Sequence, residues 1–159
     1  MANITKEDFM RRAIALCQQK MDEGVGGYCA TIVVKDGEVV GEGWNDVLNN
    51  NDPTGHCEIH ALRDAGRRLG TPDLTGCQLY TTWEPCIMCA AAIWWACIDR
   101  VYYANLLSYA EELGIDIKAL NHEACLPSGE RERPYENLLQ KEANAVVRKW
   151  FEETGATVI

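Results

Sequence analysis

The 159-residue sequence has no long apolar run and no excess of basic residues. A membrane-spanning helix needs about 20 consecutive apolar residues, and the longest candidate, residues 86–98, is too short. The N-terminal residues 1–8 include acidic side chains and no apolar stretch, so they lack the features of a secretion signal. Together with an ordinary 25% of charged residues, these absences predict a cytoplasmic globular protein.

Basic side chains are outnumbered, because 24 acidic residues face 15 lysines and arginines and give a formal net charge of −9. Proteins that bind phosphate backbones usually present a basic face. The charge therefore favours a small, weakly charged substrate over a nucleic acid. Because no repeat, low-complexity tract or linker divides the chain, we expect one domain over residues 1–159.

Cysteine, in contrast, is abundant, with eight residues. Without a signal peptide a disulfide framework is not expected, and single cysteines among apolar neighbours are usually small buried thiols. This prediction covers Cys17, Cys29, Cys57, Cys77, Cys97 and Cys125.

Hydrophobic periodicity predicts that helices and strands alternate along the chain. Helices are predicted over residues 5–23, 56–69, 85–96, 106–113 and 135–153, and strands over 29–35, 38–44, 78–81, 100–104 and 115–120. Asp36-Gly37 predicts a tight hairpin between the first two strands. The expected fold is an α/β protein, a three-layer α/β/α sandwich with a central mixed sheet of about five strands.

Two short motifs, His-Cys-Glu at residues 56–58 and Pro-Cys-Ile-Met-Cys at residues 85–89, each open a predicted helix. The two cysteines are three positions apart and share a helical face, and a helix N-terminus favours the thiolate form that binds zinc. His56, Cys86 and Cys89 would give zinc three protein ligands and leave a fourth position for water, which is typical of a catalytic site.

Glu58 is the candidate proton carrier beside that metal. The pairing of His-x-Glu with Pro-Cys-x-x-Cys is the general pattern of zinc nucleobase deaminases. Zinc lowers the pKa of bound water to about 7, so hydroxide can attack a ring carbon that bears an amino group. Glu58 would move the proton from water to the ring nitrogen and to the departing ammonia.

A competing interpretation uses His56 and His60, which have the i, i+4 spacing of zinc proteases. Those enzymes need Glu directly after the first His, whereas Glu58 stands one place later, about 100° further round the helix. We therefore interpret His60 as a residue that packs against or supports the site, and His122 as a loop residue.

Further segments match a known family: Gly-Gly at 26–27, Val-Lys-Asp-Gly at 34–37, Gly-Trp-Asn at 43–45, Asn-Asp-Pro-Thr at 51–54, Glu-Pro-Cys at 84–86 and Ala-Ile-Trp-Trp-Ala at 92–96. With the two motifs, they make the chain resemble the cytidine/deoxycytidylate deaminase superfamily, and within it the bacterial guanine deaminases. This resemblance implies one zinc ion per subunit and deamination of a free nucleobase, with guanine as the first candidate.

The resemblance also implies roles for residues outside the metal motifs. Asn45 should hydrogen-bond the substrate base, and Trp95 should lie near the pocket. The backbone around Cys57 and Cys86 should contact the substrate or the developing oxyanion. The family is dimeric, and its guanine deaminases exchange C-terminal segments between subunits. The apolar end of the chain, residues 156–159, would suit such docking.

Residues 115–117 depart from the guanine deaminase pattern. The family has Phe-Asp-Asp where this chain has Ile-Asp-Ile, so Ile117 replaces the aspartate that reads guanine, and Asp116 could substitute if the loop shifts. Cys57 replaces a usual alanine, and Trp83 replaces a smaller residue. A cytosine, pyrimidine or nucleoside (guanosine, cytidine) substrate therefore stays open.

Two alternatives accompany this hypothesis. The segment 150–155 resembles the end of fungal cytosine deaminase, where a Trp and an acidic residue close over the pyrimidine. A C-terminal helix that packs an aromatic pair is the favoured explanation of this segment. The same zinc motif also occurs in tRNA adenosine deaminases, which the acidic composition argues against. A protein that binds zinc only structurally would lack the proton carrier, whereas Glu58 is present.

Overall fold

The computed structural model describes residues 4–133 and 135–156. The chain forms two compact units, Met1–Ile117 and Lys118–Ile159. The elements in chain order are α1 (Lys6–Asp22), β1 (Ala30–Lys35), β2 (Glu38–Trp44), α2 (Val47–Asn50), α3 (Cys57–Leu69), β3 (Cys77–Trp83), α4 (Ile87–Trp95), β4 (Arg100–Asn105), α5 (Ser108–Glu112), α6 (Ile117–Cys125), a short 3-10 helix (Ser128–Glu130) and α7 (Gln140–Thr154).

The first unit is built on a mixed sheet with the strand order β2-β1-β3-β4. Strand β1 runs antiparallel to β2 and β3, while β3 and β4 are parallel. A parallel pair needs a crossover connection, and α4 provides it. Asp36 and Gly37 both have positive φ, as the predicted tight hairpin requires.

Side chains that alternate along the strands give the sheet two apolar faces. Ile32 and Tyr80 pack with α1 on one face. Val33 and Leu79 pack with α3 and α4 on the other. The three-layer α/β/α arrangement predicted from the sequence is therefore confirmed.

Helix α3 lies unusually close to strand β2 because two glycines face it. A Cβ atom placed on Gly43 would come within 2.3 Å of Ala61 N, and one on Gly41 within 2.5 Å of Ala61 O. The absence of these side chains lets the helix backbone contact the strand directly. This contact determines where the N-terminus of α3 lies.

Two predictions about the C-terminal part are wrong. Residues 115–120, expected as a fifth strand, contribute to helix α6, so the described sheet has four strands; the alternation of Ile115 and Ile117 was outweighed by the good helix formers that follow. The last helix begins at Gln140 instead of residue 135, because Leu139 has a left-handed backbone. The docking predicted for the chain end falls mostly on residues 157–159, which lie outside the described residues.

The second unit contains helical elements and a turn held by Arg131. The Arg131 Nε donates a hydrogen bond of 3.0 Å to the Leu126 carbonyl, and its guanidinium lies 4.6 Å from the ring centre of Tyr135. Within residues 118–133 and 135–156 no residue is buried. Across all the described residues, no helix combines the length and apolar character needed to cross a membrane.

Candidate metal and active site

The predicted metal ligands lie at the N-termini of two helices. His56 is the N-cap residue of α3 and Cys86 is the N-cap residue of α4, and both have extended backbone. Pro85 precedes Cys86, and extended backbone is the conformation that a residue before the first helical turn adopts. Cys89 follows one turn later, so it lies on the same side of α4 as Cys86.

The tertiary structure brings these three residues together. His56 Nδ1 lies 3.6 Å from Cys86 Sγ and 3.5 Å from Cys89 Sγ, and all three ligand atoms lie within 4.8 Å of one another. Tetrahedral zinc with ordinary Zn–S and Zn–N bonds holds its nitrogen and sulfur ligands about 3.6 Å apart. The donor set and its spacing therefore fit zinc.

The charges of the two cysteines also suit a cation. A hydrogen bond from the Cys89 thiol, together with the effect of His56, lowers the pKa of Cys86 to about 4 although burial acts in the opposite direction. The same hydrogen bond, together with burial, raises the pKa of Cys89. The two sulfurs thus share one proton, which a divalent cation would displace when both bind it as thiolates.

Glu58 lies beside this cluster and is only 3% exposed. Burial raises the pKa of its carboxyl group, against a lowering effect of hydrogen bonds from its own backbone and from the Cys89 thiol. A carboxyl group whose pKa is raised holds a proton more readily than an exposed one, which suits general acid–base catalysis. The structure therefore places a protonatable group next to the candidate metal ligands.

Cys57 behaves differently from the prediction. Its sulfur is joined to that of Cys29 in a disulfide, so the expectation of free thiols is wrong for this pair. No local pattern indicates this pairing, because residues 29 and 57 meet only through the packing of α3 on the sheet. Cys57 Sγ lies 3.2 Å from Glu58 Oε2 and 3.8 Å from Thr81 Oγ1. The disulfide thus borders the carboxylate.

The other single cysteines divide by burial. Cys17 and Cys77 are buried free thiols, as predicted, whereas Cys97 is half-buried and Cys125 is exposed.

Asn45 is anchored next to the start of β1. Its backbone N–H donates to the Cys29 carbonyl over 2.9 Å, and its carbonyl accepts from Gly27 N over 2.6 Å. These two bonds bracket Tyr28. Asn45 is therefore bonded to Cys29, and the disulfide of Cys29 connects this segment to Cys57 in the first turn of α3.

A contact between His60 and Asp46 holds the loop between Asn45 and His56, and only His60 was singled out from the sequence. His60 Nε2 lies 2.7 Å from Asp46 Oδ1, and Asn50 also donates to the Asp46 carboxylate. His60 therefore supports the loop, in agreement with its interpretation as a supporting residue. Its spacing from His56 was the available signal, whereas nothing marked Asp46.

Trp95 and Asp116 are candidate substrate-binding residues that do not belong to the two metal motifs. Trp95 ends α4, is 60% exposed and lines a cavity with Leu62, Leu74 and Ala96, and none of the predicted metal ligands lines that cavity. Asp116 is exposed between α5 and α6. The substrate-binding roles of Asn45, Cys57, Trp95 and Asp116 stay predictions.

His122 lies in α6, so its assignment to a loop is wrong.

Three aromatic residues near the site had no assigned role in the sequence interpretation. The rings of Tyr28 and Trp83 are 5.7 Å apart in an edge-on arrangement, and those of Trp83 and Tyr109 are stacked at 5.7 Å. Only Trp83 carried a signal, because it replaces a smaller residue next to the cysteine motif.

Comparison with known proteins defines the class. The family model of the cytidine and deoxycytidylate deaminase zinc-binding region matches residues 3–105. The chain belongs to this family. It is a zinc-dependent deaminase by that membership, and its His/Cys/Cys cluster is the candidate metal site.

Individual relatives are similar over most of the chain. It is 38% identical to the guanine deaminase of Bacillus subtilis over 144 residues, which covers 91% of this chain and 92% of that protein. The crystal structure of a Bacillus subtilis guanine deaminase matches with a TM-score of 0.89 at 36% identity, over 96% of this chain and 98% of that one.

Two further matches extend the comparison. The structure of NE0047 in complex with 2,6-diaminopurine matches with a TM-score of 0.68 at 25% identity, over 99% of this chain and 87% of that one. A tRNA-specific adenosine deaminase of Aquifex aeolicus is 40% identical over 101 residues, which covers 64% of this chain and 66% of that protein.

Proposed function

We propose that this enzyme deaminates guanine, or a closely related free aminated purine, by hydrolysis. The single observation that carries the proposal is the buried Glu58 carboxyl beside a His/Cys/Cys cluster of zinc dimensions. The similarity to a guanine deaminase over 91% of the chain supports guanine as the substrate.

His56, Cys86 and Cys89 would hold one zinc ion in each subunit. When bound, zinc supplies Lewis acidity and makes hydroxide available at neutral pH. The N-termini of α3 and α4 favour negative charge at this point, because unpaired backbone N–H groups point outward there. These helix ends would stabilise the thiolate pair and the negative charge that develops on the substrate.

Glu58 would move protons between defined atoms. Its carboxylate takes a proton from the attacking water and delivers it to the ring nitrogen beside the attacked carbon. A second proton, which comes from the hydroxyl group now on that carbon, passes to the exocyclic nitrogen. The carbon–nitrogen bond then breaks, ammonia leaves, and the carbon keeps the water oxygen as a carbonyl. Burial supports this role, because a raised pKa lets Glu58 hold the proton between the two transfers.

Asn45, Cys57, Trp95 and Asp116 are the proposed substrate-binding residues. Asn45 would hydrogen-bond an edge of the base, and the backbone at Cys57 would contact the reacting carbon's oxygen. Ile117 cannot accept a hydrogen bond from an amino group, so Asp116 is the remaining acidic candidate on this segment. A site without its acceptor discriminates less strongly for guanine.

Ammonia release by zinc-loaded protein tests the proposal. The screen covers guanine, guanosine, 2,6-diaminopurine, adenine, cytosine and cytidine, together with a tRNA anticodon hairpin. We expect guanine or a related aminopurine to be the best substrate. Turnover of none of the small molecules would refute the proposal, and activity on the hairpin alone would assign tRNA editing instead.

We further propose that the enzyme is a homodimer that exchanges C-terminal segments. Trp94 and Trp95 on α4 are 82% and 60% exposed, and Trp150 and Phe151 form an exposed aromatic pair on α7. Large exposed apolar surface of this kind favours a second copy of the chain as its partner. We also propose a cytoplasmic location, which the ordinary globular composition of the chain favours.

A further inference from the structure

Tyr28, Trp83 and Tyr109 form a continuous aromatic surface, here called the aromatic cluster. Tyr28 and Tyr109 are 52% and 44% exposed, and Trp83 is half-buried between them. The Tyr28 and Trp83 rings meet edge to face, and the Trp83 and Tyr109 rings are nearly parallel at 18°. Trp83 is therefore supported on one side and the cluster keeps an open face.

Backbone contacts hold each member of the cluster in position. The two hydrogen bonds between Asn45 and residues 27 and 29 fix the chain on both sides of Tyr28. Trp83 is the last residue of β3. The Leu107 N–H donates to the Glu84 carboxylate over 2.8 Å, which holds the start of α5, and with it Tyr109, beside Trp83. A preorganised surface of this kind needs little ordering when a ligand binds.

The cluster borders the candidate site. Trp83 stands three residues before Cys86, and Tyr28 is followed directly by Cys29, whose sulfur is bonded to Cys57. The pKa of the Tyr28 hydroxyl is raised by burial and, in addition, by the negative charges of Glu58 and Cys86. Tyr28 therefore lies within electrostatic reach of the proton carrier and of a candidate metal ligand.

Flat heterocycles bind to such surfaces. Aromatic side chains stack on nucleobases with little dependence on which hydrogen-bonding groups the base carries, and ring pairs prefer offset or edge-on contacts. The chain has Ile117 where the family's guanine-reading acid would stand, so affinity for the ring must come from elsewhere. The exposed aromatic cluster offers the required contact area.

We propose that Tyr28 and Trp83 form the stacking surface for the substrate ring, and that Tyr109 supports Trp83 from behind. This inference rests on the proposed function, because it assumes that a free heterocycle enters the site next to Glu58. It identifies the substrate class as planar two-ring aminated heterocycles, since two fused rings cover more of the cluster than one. The enzyme then tolerates several aminopurines and disfavours single-ring pyrimidines.

The test measures binding without turnover. The parent protein carries Glu58→Gln, so that bound ligand is not turned over. Calorimetry measures the Kd of 8-azaguanine for this parent and for the double variant that also carries Tyr28→Leu. Tyr28→Phe keeps the aromatic ring and removes the hydroxyl group, so it tests which of the two binds the ligand. Tyr103→Leu, at an exposed tyrosine on β4, is the matched control. We expect Tyr28→Leu to weaken binding about tenfold or more, and Tyr28→Phe and Tyr103→Leu to change it less than about twofold.

Three results would overturn the inference: a Kd of the Tyr28→Leu protein within twofold of the parent, an equal loss in Tyr103→Leu, or no binding to the folded parent. Steady-state kinetics in the wild-type background add a second readout, because loss of stacking should raise KM for guanine more than it lowers kcat. If wild-type protein releases no ammonia from any heterocycle but binds 8-azaguanine through Tyr28, the proposed function fails and the stacking surface stands.

Discussion

The two compact units of the chain differ in how they treat apolar side chains. Met1–Ile117 buries apolar residues on both faces of its sheet. Lys118–Ile159 exposes them, and Val146, Val147, Trp150 and Phe151 of α7 are between 41% and 70% exposed. Catalytic groups need rigid surroundings, which only a packed core supplies. The candidate metal site and Glu58 lie in the packed first unit, and the exposed apolar residues of α7 are part of the surface that we propose for self-association.

Glu58→Gln gives the largest expected effect in the first unit. Removing the proton carrier should lower kcat about 10²- to 10⁴-fold, with zinc content unchanged because Glu58 is not a proposed ligand. Elemental analysis and ammonia release measure the two quantities. Cys86→Ser is the control, since it should lose zinc as well as activity. A Glu58→Gln protein that keeps its rate would contradict the proposed mechanism.

The second-largest expected effect is the loss in free energy of unfolding when the Cys29–Cys57 disulfide is removed. The bridge spans 28 residues, and closing a loop of that size contributes about 3–4 kcal/mol in the chain-entropy model. Urea denaturation of Cys29→Ala/Cys57→Ala against wild type measures the loss in free energy of unfolding. Thiol titration of denatured, unreduced wild type should find six of the eight cysteines free. Eight free thiols would show that the bridge does not form.

Gly43→Ala tests the close packing of α3 on β2. The added Cβ would meet Ala61 N at 2.3 Å, so the helix must move, and overpacking of this kind costs about 1–3 kcal/mol. Gly129→Ala in the second unit is the matched control, because nothing lies within 4 Å of its Cβ position, and it should stay within about 0.5 kcal/mol of wild type. Equal unfolding midpoints for the two variants would contradict the close packing of α3 on β2 at Gly43.

The smallest expected effect belongs to α7. Trp150→Ala should weaken self-association about tenfold or more, as for a buried aromatic anchor of an interface, and should leave zinc content unchanged. Sedimentation over a range of concentrations measures the dimer dissociation constant. Lys149→Ala, which removes only an exposed ion pair with Glu153, is the control and should change it little. Identical dissociation of Trp150→Ala and wild type would refute the association role.

Residue identity and spacing alone were sufficient to predict the candidate metal ligands, which the structure brings together. His56, Cys86 and Cys89 were recognisable because zinc requires nitrogen and sulfur donors, and because each motif begins a helix whose apolar period is visible in the sequence. The sandwich fold was equally visible in the alternation of helices and strands. The fifth strand predicted over residues 115–120 was wrong, since a short apolar alternation fits a strand and a helix nearly as well.

Contacts between distant segments were decided only by tertiary structure. The packing of α3 against β2 at Gly41 and Gly43 brings Cys57 to Cys29, and the order of strands in the sheet brings Trp83 beside Tyr28 and Tyr109. Local patterns report on neighbours within a helical turn or along one strand. A disulfide or an aromatic surface assembled from three separate elements depends on how those elements pack, which no local pattern encodes.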